Sequence, residues 1–345
     1  MKRWHQKWRL FAVFGMLALI LAGCGDPYLS ALQPKGVGAE MQYDLMLISV
    51  AIMAGVFLVV MVIYTFVIMK FRAKKGDENK IPKQVEGNHT LEIIWTVIPI
   101  LLLLILAVPT VAYTFKLADT EKKAENTVVV DVTAYQYWWE FDYPDLGIKT
   151  SQDLYIPAEE EVIINLKSQD VIHSFWVPAL SGKMDTNPGD GNNNTMTLHA
   201  KEEGTYLGKC AELCGPSHAL MDFKVQAVDR NEFDAWAEKM KAGPSEPQTE
   251  TAKAGQEIFQ QSCVGCHAVG EEGGNLGPNL TNFGERERIA GILEHNEENL
   301  RKWMKDPETV KPGNKMTGQY DELDDKELDA LVDYLMGLKV TEEKK

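Results

Sequence analysis

The residues with the most chemistry in this 345-residue chain are its five cysteines and their neighbours. Cys210, Cys214, His218 and Met221 stand together in "CAELCGPSHALM". Thiolates, an imidazole and a thioether form a soft donor set, suited to copper rather than to magnesium or calcium. Zinc would accept the same thiolates and imidazole, although a structural zinc site has no use for the thioether. A Cys-x3-Cys disulfide is sterically possible outside a cell, yet it would leave His218 and Met221 unexplained. Another histidine is available upstream, His173 in "DVIHSFWVP". A second group is "CVGCH": Cys263 and Cys266 can add across two porphyrin vinyl groups while His267 binds iron, the covalent haem c signature. For the other face of that iron the candidates are Met316, Met304 and His295. Met304 shares a helical stripe with Leu300 and Trp303 and reads as core. Met316 follows Pro312 and Gly313 in a loop, where a thioether can be aimed at iron.

Two resemblances organise these residues. The order of an N-terminal helix, "CVGCH", "GPNL" at Gly277 to Leu280, "KPGNKM" and a C-terminal helix resembles class I cytochrome c over about 90 residues. It implies Cys263 and Cys266 as thioether attachment points, with His267 and Met316 as axial ligands. His173 followed by "CAELCGPSHALM" resembles the binuclear CuA centre of cytochrome c oxidase subunit II, and "LEIIWTVIP" resembles that family's second transmembrane helix. Carried over, Cys210 and Cys214 bridge two coppers and His173 and His218 ligate one each. Met221 and the backbone carbonyl of Glu212 are axial, and the Glu212 side chain reaches a magnesium site shared with subunit I. The whole is similar to subunit II of a bacterial caa3-type oxidase, which implies an electron-input role: donor to haem c, to CuA, to haem a in a separate subunit that reduces oxygen. One departure concerns "AYQYWWEFDY", where the family's electron-accepting tryptophan follows the glutamine; here Tyr137 follows Gln136, with Trp138 and Trp139 after it. Asp170 and Asp185 flank the first ligand and are expected to hydrogen-bond at the subunit I interface or to cap turns. His89, His199 and His295 lack ligand spacing and read as surface or packing residues.

Such sites need elements to hold them. From Thr127 the chain runs in short β-branched and aromatic segments broken by Gly, Pro and Asn, among them "TVVVDVTAY", "EEVIINLKS", "NTMTLHA", "GTYLGK" and "MDFKVQAV". They predict an all-β sandwich or barrel, closed by a helix from Asn231 to Met240, with His173 between strands; the resemblance implies that it is a cupredoxin-like Greek-key β-barrel over 126–241. A linker over 242–251, rich in proline and poor in bulky apolar residues, leads to an all-α domain over 252–345. There Leu328, Leu331, Val332, Leu335 and Met336 share one helical face.

The N-terminal quarter is different. Lys2, Arg3, Lys7 and Arg9 precede an apolar run ending in "LAGC", a secretory signal over 1–23 with the small residues of a lipoprotein cleavage site. The expected mature chain starts at an acylated Cys24. Within the following region, 24–125, the runs 45–69 and 91–115 are long enough to cross a hydrocarbon core of about 30 Å. The loop between them carries Lys70, Arg72, Lys74, Lys75, Lys80 and Lys83, which places it in the cytoplasm and everything after Phe115 outside the cell membrane. Pro99 and Pro109 are expected to kink the second span. Neither run contains a histidine that could hold an oxygen-reducing haem and copper, so turnover requires partner subunits. A formal net charge of −15 argues against nucleic acid and favours solubility or a basic partner; the resemblance implies an external cytochrome c or equivalent donor. Two other classes share parts of the pattern. A membrane-anchored copper carrier of the thioredoxin-like kind places its cysteine pair before a distant histidine, the reverse of the order here. A nitric oxide reductase with CuA would differ in its partner subunit.

Overall fold

The computed structural model describes residues 8–9, 11–17, 26–72, 81, 84–121 and 125–341. Cys24, the expected acylation site, and most of the basic loop lie outside the described residues.

Two apolar helices, Val37–Phe71 and His89–Ala118, contain the expected spans and exceed them at both ends. At 1.5 Å per residue the first, of 35 residues, is about 50 Å long, more than a bilayer core requires. Its first turns instead belong to the β domain: Gly38, Ala39 and Met41 are buried, and Ala39 N–H donates to Leu180 O at 3.0 Å. A Cβ on Gly36 would lie 2.3 Å from Leu180 O, so the chain approaches this closely only with glycine there. Ion pairs Lys35–Glu202 and Lys201–Glu40 flank the junction. The second helix runs uninterrupted through Pro99 and Pro109.

The β domain is built of β1 (Val129–Tyr135), β2 (Trp138–Tyr143), β3 (Ile148–Ser151), β4 (Asp153–Pro157), β5 (Val162–Ser168), β6 (His173–Trp176), β7 (Met184–Thr186), β8 (Asn194–Leu198), β9 (Gly204–Cys210) and β10 (Asp222–Val228). One sheet is ordered β3-β2-β1-β5-β8 and the other β4-β10-β9-β6-β7. β10 alternates buried and half-buried positions, the signature of a strand with one face in the core. Between the sheets Trp139, Phe175 and Phe223 pack at centroid distances of 4.7 to 5.7 Å. The chain changes sheets at Gln152, which adopts φ 69 between β3 and β4. There its own side chain supports the corner, accepting from Trp139 N–H at 3.0 Å and donating to Asp222 O at 3.1 Å. His173 is the first residue of β6 rather than part of an inter-strand loop. A helix, Arg230–Ala242, starts on an Asp229 cap and closes the domain by setting Phe233 and Trp236 against Tyr143.

The C-terminal domain is helical, with two short β-ribbons that periodicity did not foreshadow, Ala268–Val269 with Glu272–Gly273 and Arg288–Ile289 with Leu293–Glu294. Its helices are Glu250–Ser262, Glu297–Lys305, Pro307–Val310 and Asp325–Met336, the last opened by a capping box of Asp324 and Glu327. The first and last cross at Gly255, where a Cβ would stand 2.0 Å from Ala330 O. Leu328, Leu331, Val332 and Leu335 are buried on one face, with Met336 half-buried at its edge.

The two domains share a seam. Asn279 N–H donates to Ser151 Oγ at 3.1 Å, Thr150 Oγ1 to Asn282 Oδ1 at 3.4 Å, and Ser217 Oγ to Pro312 O at 2.7 Å. Lys224 pairs with Glu287, and Lys315 Nζ lies 3.0 Å from Asp170 Oδ2.

Candidate metal centre and cofactor cavity

β9 ends at Cys210 and β10 begins at Asp222, so the loop between them must return to the same sheet edge. It does so through Gly215 at φ 134, where a Cβ would lie 2.4 Å from Tyr137 Oη. β6 pairs beside β9, Phe175 opposite Cys210, which carries His173 to the same end of the sheet. The result is one buried cluster. Cys210 Sγ is 3.8 Å from Cys214 Sγ and 3.9 Å from His173 Nδ1. Cys214 Sγ is 3.6 Å from His218 Nδ1 and 3.9 Å from Met221 Sδ. The Glu212 carbonyl oxygen is 3.3 Å from Cys210 Sγ, while Glu212 itself is exposed. Cys210 and Cys214 are free thiols. All six positions singled out in the sequence therefore meet, and the donors are soft, inward-facing and otherwise weakly satisfied, which fits copper.

The electrostatics favour a deprotonated donor. The hydrogen bond from Cys214 holds the Cys210 thiol far below its ordinary range, against the cost of burial, and His173 adds to the effect. The same pairing, with burial, pushes Cys214 up, so the two sulfurs share a proton that a metal would displace. Burial alone would lower the pKa of His173, but hydrogen bonds to Asp170 and Cys210 raise it. Since Nδ1 faces Cys210, Nε2 carries the proton that Asp170 Oδ1 accepts at 2.8 Å. This outer carboxylate fixes the tautomer and ring orientation. Asp170 is kept well below the usual carboxylate range: His173, Gln136 N–H, Val171 N–H and Lys315 together outweigh its desolvation.

A cavity of about 470 Å³ occupies the C-terminal domain and opens at the seam. Cys263, Cys266, His267, Met304 and Met316 are on its wall. His267 Nδ1 donates to Pro278 O at 2.8 Å, which turns the other ring nitrogen toward the cavity. Burial lowers the pKa of His267, keeping the neutral imidazole that a metal requires. Gly277 packs on this ring so closely that a Cβ would be 2.7 Å from His267 Cε1. Adjacent thiols, an oriented imidazole and a mostly apolar hollow fit a covalently held haem. Both methionines reach the wall; Met304 is a buried core residue on its helix, as expected, and Met316 is half-buried in its loop. His295 is absent from the cavity and packs on Phe283 at 5.1 Å. His89 is exposed at the start of its helix.

Several contributors were not foreseen. Tyr135, Trp138 and Gln152 of the β domain line the cavity together with Tyr137, so the second domain forms part of its wall. Tyr135 and Trp138 stack at 4.3 Å with planes 4° apart. Tyr137 lies between the two ligand loops: its hydroxyl is near Gly215 and would stand 3.4 Å from a Cβ on Gly313. Lys311, 3% exposed, donates to Ala290 O at 2.8 Å, and burial pushes its ammonium down to about 7. The sequence signal for these was limited to aromatic density in "AYQYWWEFDY"; the docking of the two domains decides which ring meets which neighbour.

The chain matches three protein families: "Cytochrome C oxidase subunit II, transmembrane domain" over residues 35–113, "Cytochrome C oxidase subunit II, periplasmic domain" over 147–228, and "Cytochrome c" over 252–339. It is 59% identical to a cytochrome c oxidase subunit 2 of Bacillus sp. strain PS3, covering 96% of this chain and 98% of the relative. It is 51% identical to the cytochrome c oxidase subunit 2 of Bacillus subtilis strain 168, with the same coverage. Among solved structures, the periplasmic domain of subunit II of the Bradyrhizobium japonicum cytochrome oxidase is similar, with TM-score 0.33 and 28% identity over 35% of this chain and 96% of that one.

Proposed function

The chain belongs to the cytochrome c oxidase subunit II family, with a cytochrome c domain fused behind the periplasmic domain, and we propose that it is the electron-input subunit of a caa3-type oxidase. When bound, haem c and binuclear copper supply two one-electron carriers. Cys263 and Cys266 would hold the haem covalently, with His267 and Met316 on its iron. Cys210, Cys214, His173, His218, Met221 and the Glu212 carbonyl would hold the copper pair. Held there, the two groups would supply a path for electrons from an external cytochrome c to haem a of subunit I, for reduction of oxygen to water with proton translocation. The exposed Glu212 carboxylate is available for a magnesium ion shared with that subunit.

The observation that carries this proposal is the contact of the two ligand loops. Ser217, inside the copper loop, donates to Pro312, inside the loop of Met316, and Tyr137 is wedged beside both. A carrier of copper would gain nothing from a haem cavity walled by its own metal-binding domain; a relay does, because electron transfer requires the centres to come close. The membrane topology obeys the same logic. With both helices spanning the cell membrane and Cys24 acylated, the two domains sit on the outer face where a donor circulates.

Copper and iron should be counted in the purified full-length chain after haem maturation, together with optical and EPR spectra. Two coppers and one iron per chain, with an unpaired electron shared over both coppers, is the expected result. One copper or none beside an intact haem would remove the relay.

A further inference from the structure

Asp170 is bonded both to His173 and to Lys315, the neighbour of Met316. We propose that it is a positioning residue for the two at once, orienting the copper ligand His173 with one oxygen and seating the haem-ligand loop through Lys315 with the other; this rests on the relay proposed above. Oδ1 accepts from His173 Nε2 at 2.8 Å and from Val171 N–H at 2.8 Å. Oδ2 accepts from Gln136 N–H at 2.8 Å and from Lys315 Nζ at 3.0 Å. Four donors use the lone-pair sites of one carboxylate. Each bond leads to a functional part. His173 presents Nδ1 to Cys210, and Gln136 donates from its side chain to Cys214 O at 2.6 Å and precedes Tyr137. Lys315 precedes Met316, whose own N–H is held by Asn314 Oδ1 at 2.9 Å.

The energetics separate the two halves. The side chain of Asp170 is 14% exposed, that of His173 is fully buried and that of Lys315 is 58% exposed. The histidine bond is therefore shielded, whereas the lysine arm is open to screening by salt. A neutral amide at this position could not accept from all four donors, because one of its two polar atoms is itself a donor. Asp170 thus joins a fixed copper ligand to a releasable haem loop. The cytochrome domain can leave the seam without disturbing the copper site, while its seated position is referenced to a copper ligand.

The test uses full-length chain carrying haem and copper, in variants Lys315→Ala, Lys315→Arg and Asp170→Asn. Three readouts are compared: the copper EPR spectrum, hydrogen–deuterium exchange of residues 311–317, and the rate at which one electron equilibrates from photoreduced haem to copper. Lys315→Ala is expected to leave the copper spectrum intact, to raise exchange in 311–317, and to slow equilibration by roughly three- to fivefold at low salt with loss of its salt dependence. Lys315→Arg restores both. Asp170→Asn is expected to alter the copper spectrum as well as exchange and rate. An unchanged copper spectrum in Asp170→Asn, or exchange and rate within twofold of the parent in Lys315→Ala, overturns the shared role. Absence of any haem-to-copper equilibration in the unsubstituted chain refutes the relay instead.

Discussion

Gly243 to Thr249 is the covalent tie between the helix that closes the β domain and the helix that opens the cytochrome domain. A flexible chain of about seven residues spans roughly 15 Å, and such tethers hold partners at an effective concentration of about 1 mM. Among the described residues the hydrogen bonds and ion pairs of the seam are three neutral hydrogen bonds and two ion pairs with at least one exposed member, to which Val340 adds an apolar contact with the β-domain core and Arg286 an attraction to Asp153. Hydrogen bonds contribute about 0.5–1.5 kcal/mol each and exposed ion pairs about 0–1 kcal/mol. The hydrogen bonds and exposed ion pairs sum to about 2–6 kcal/mol, at or below the low end of an association cost of roughly 4–15 kcal/mol. The seam alone should then be weak, and docking should depend on the tether. Replacing Pro244–Pro247 with a protease site and cutting the assembled oxidase at about 1 µM lowers the local concentration of the cytochrome domain up to roughly 10³-fold. That corresponds to about 4 kcal/mol of docking free energy. Oxygen consumption with an artificial reductant should fall at least tenfold on cleavage and return as a soluble cytochrome c is added toward millimolar. A rate at dilute enzyme that is indifferent to cleavage refutes the tether argument and means that the seam holds by itself.

Two further outcomes concern the cofactor cavity. In Gly277→Ala the new methyl would meet the His267 ring at 2.7 Å, well inside the usual carbon contact of about 3.5–4.0 Å. Overpacking of this kind costs about 1–3 kcal/mol, taken here from the imidazole–iron bond; the haem absorption spectrum should lose low-spin character, and a spectrum identical to the parent would show that the ring has room. Met316→Ala should remove thioether ligation and lower the haem midpoint potential, whereas Met304→Leu, a volume-conserving change in the core, should leave the haem spectrum intact and cost less than about 1.5 kcal/mol of stability. If Met304→Leu abolishes the methionine signature, the ligand assignment is reversed.

Much of this protein is local in origin. "CVGCH" and "CAELCGPSHALM" carry their donors within a few residues, so short-range geometry nearly suffices to assemble each ligand loop, and the type and spacing of the residues state the chemistry. The two membrane helices and the face of Leu328, Leu331, Val332 and Leu335 were legible for the same reason: burial imposes a period that one stretch of sequence records. The elements that escaped show no such period. β2, β3 and β4 are buried on both faces, so apolar and polar residues do not alternate along them, and the β-ribbons of the cytochrome domain are too short to show alternation.

His173 marks the boundary between the two kinds of information. Its type and its place upstream of the Cys210–Met221 loop make it a candidate ligand, but that Nδ1 rather than Nε2 faces Cys210 depends on Asp170, and Asp170 in turn on Gln136 and Lys315, 34 and 145 residues away. A sequence by itself determines which donors exist and which chemistry they favour, because those are properties of side chains. Tertiary structure alone decided that the cavity is walled by Tyr135, Trp138 and Gln152 and that one carboxylate bonds both His173 and Lys315, because a docked seam is selected by the shape and charge of two complete surfaces.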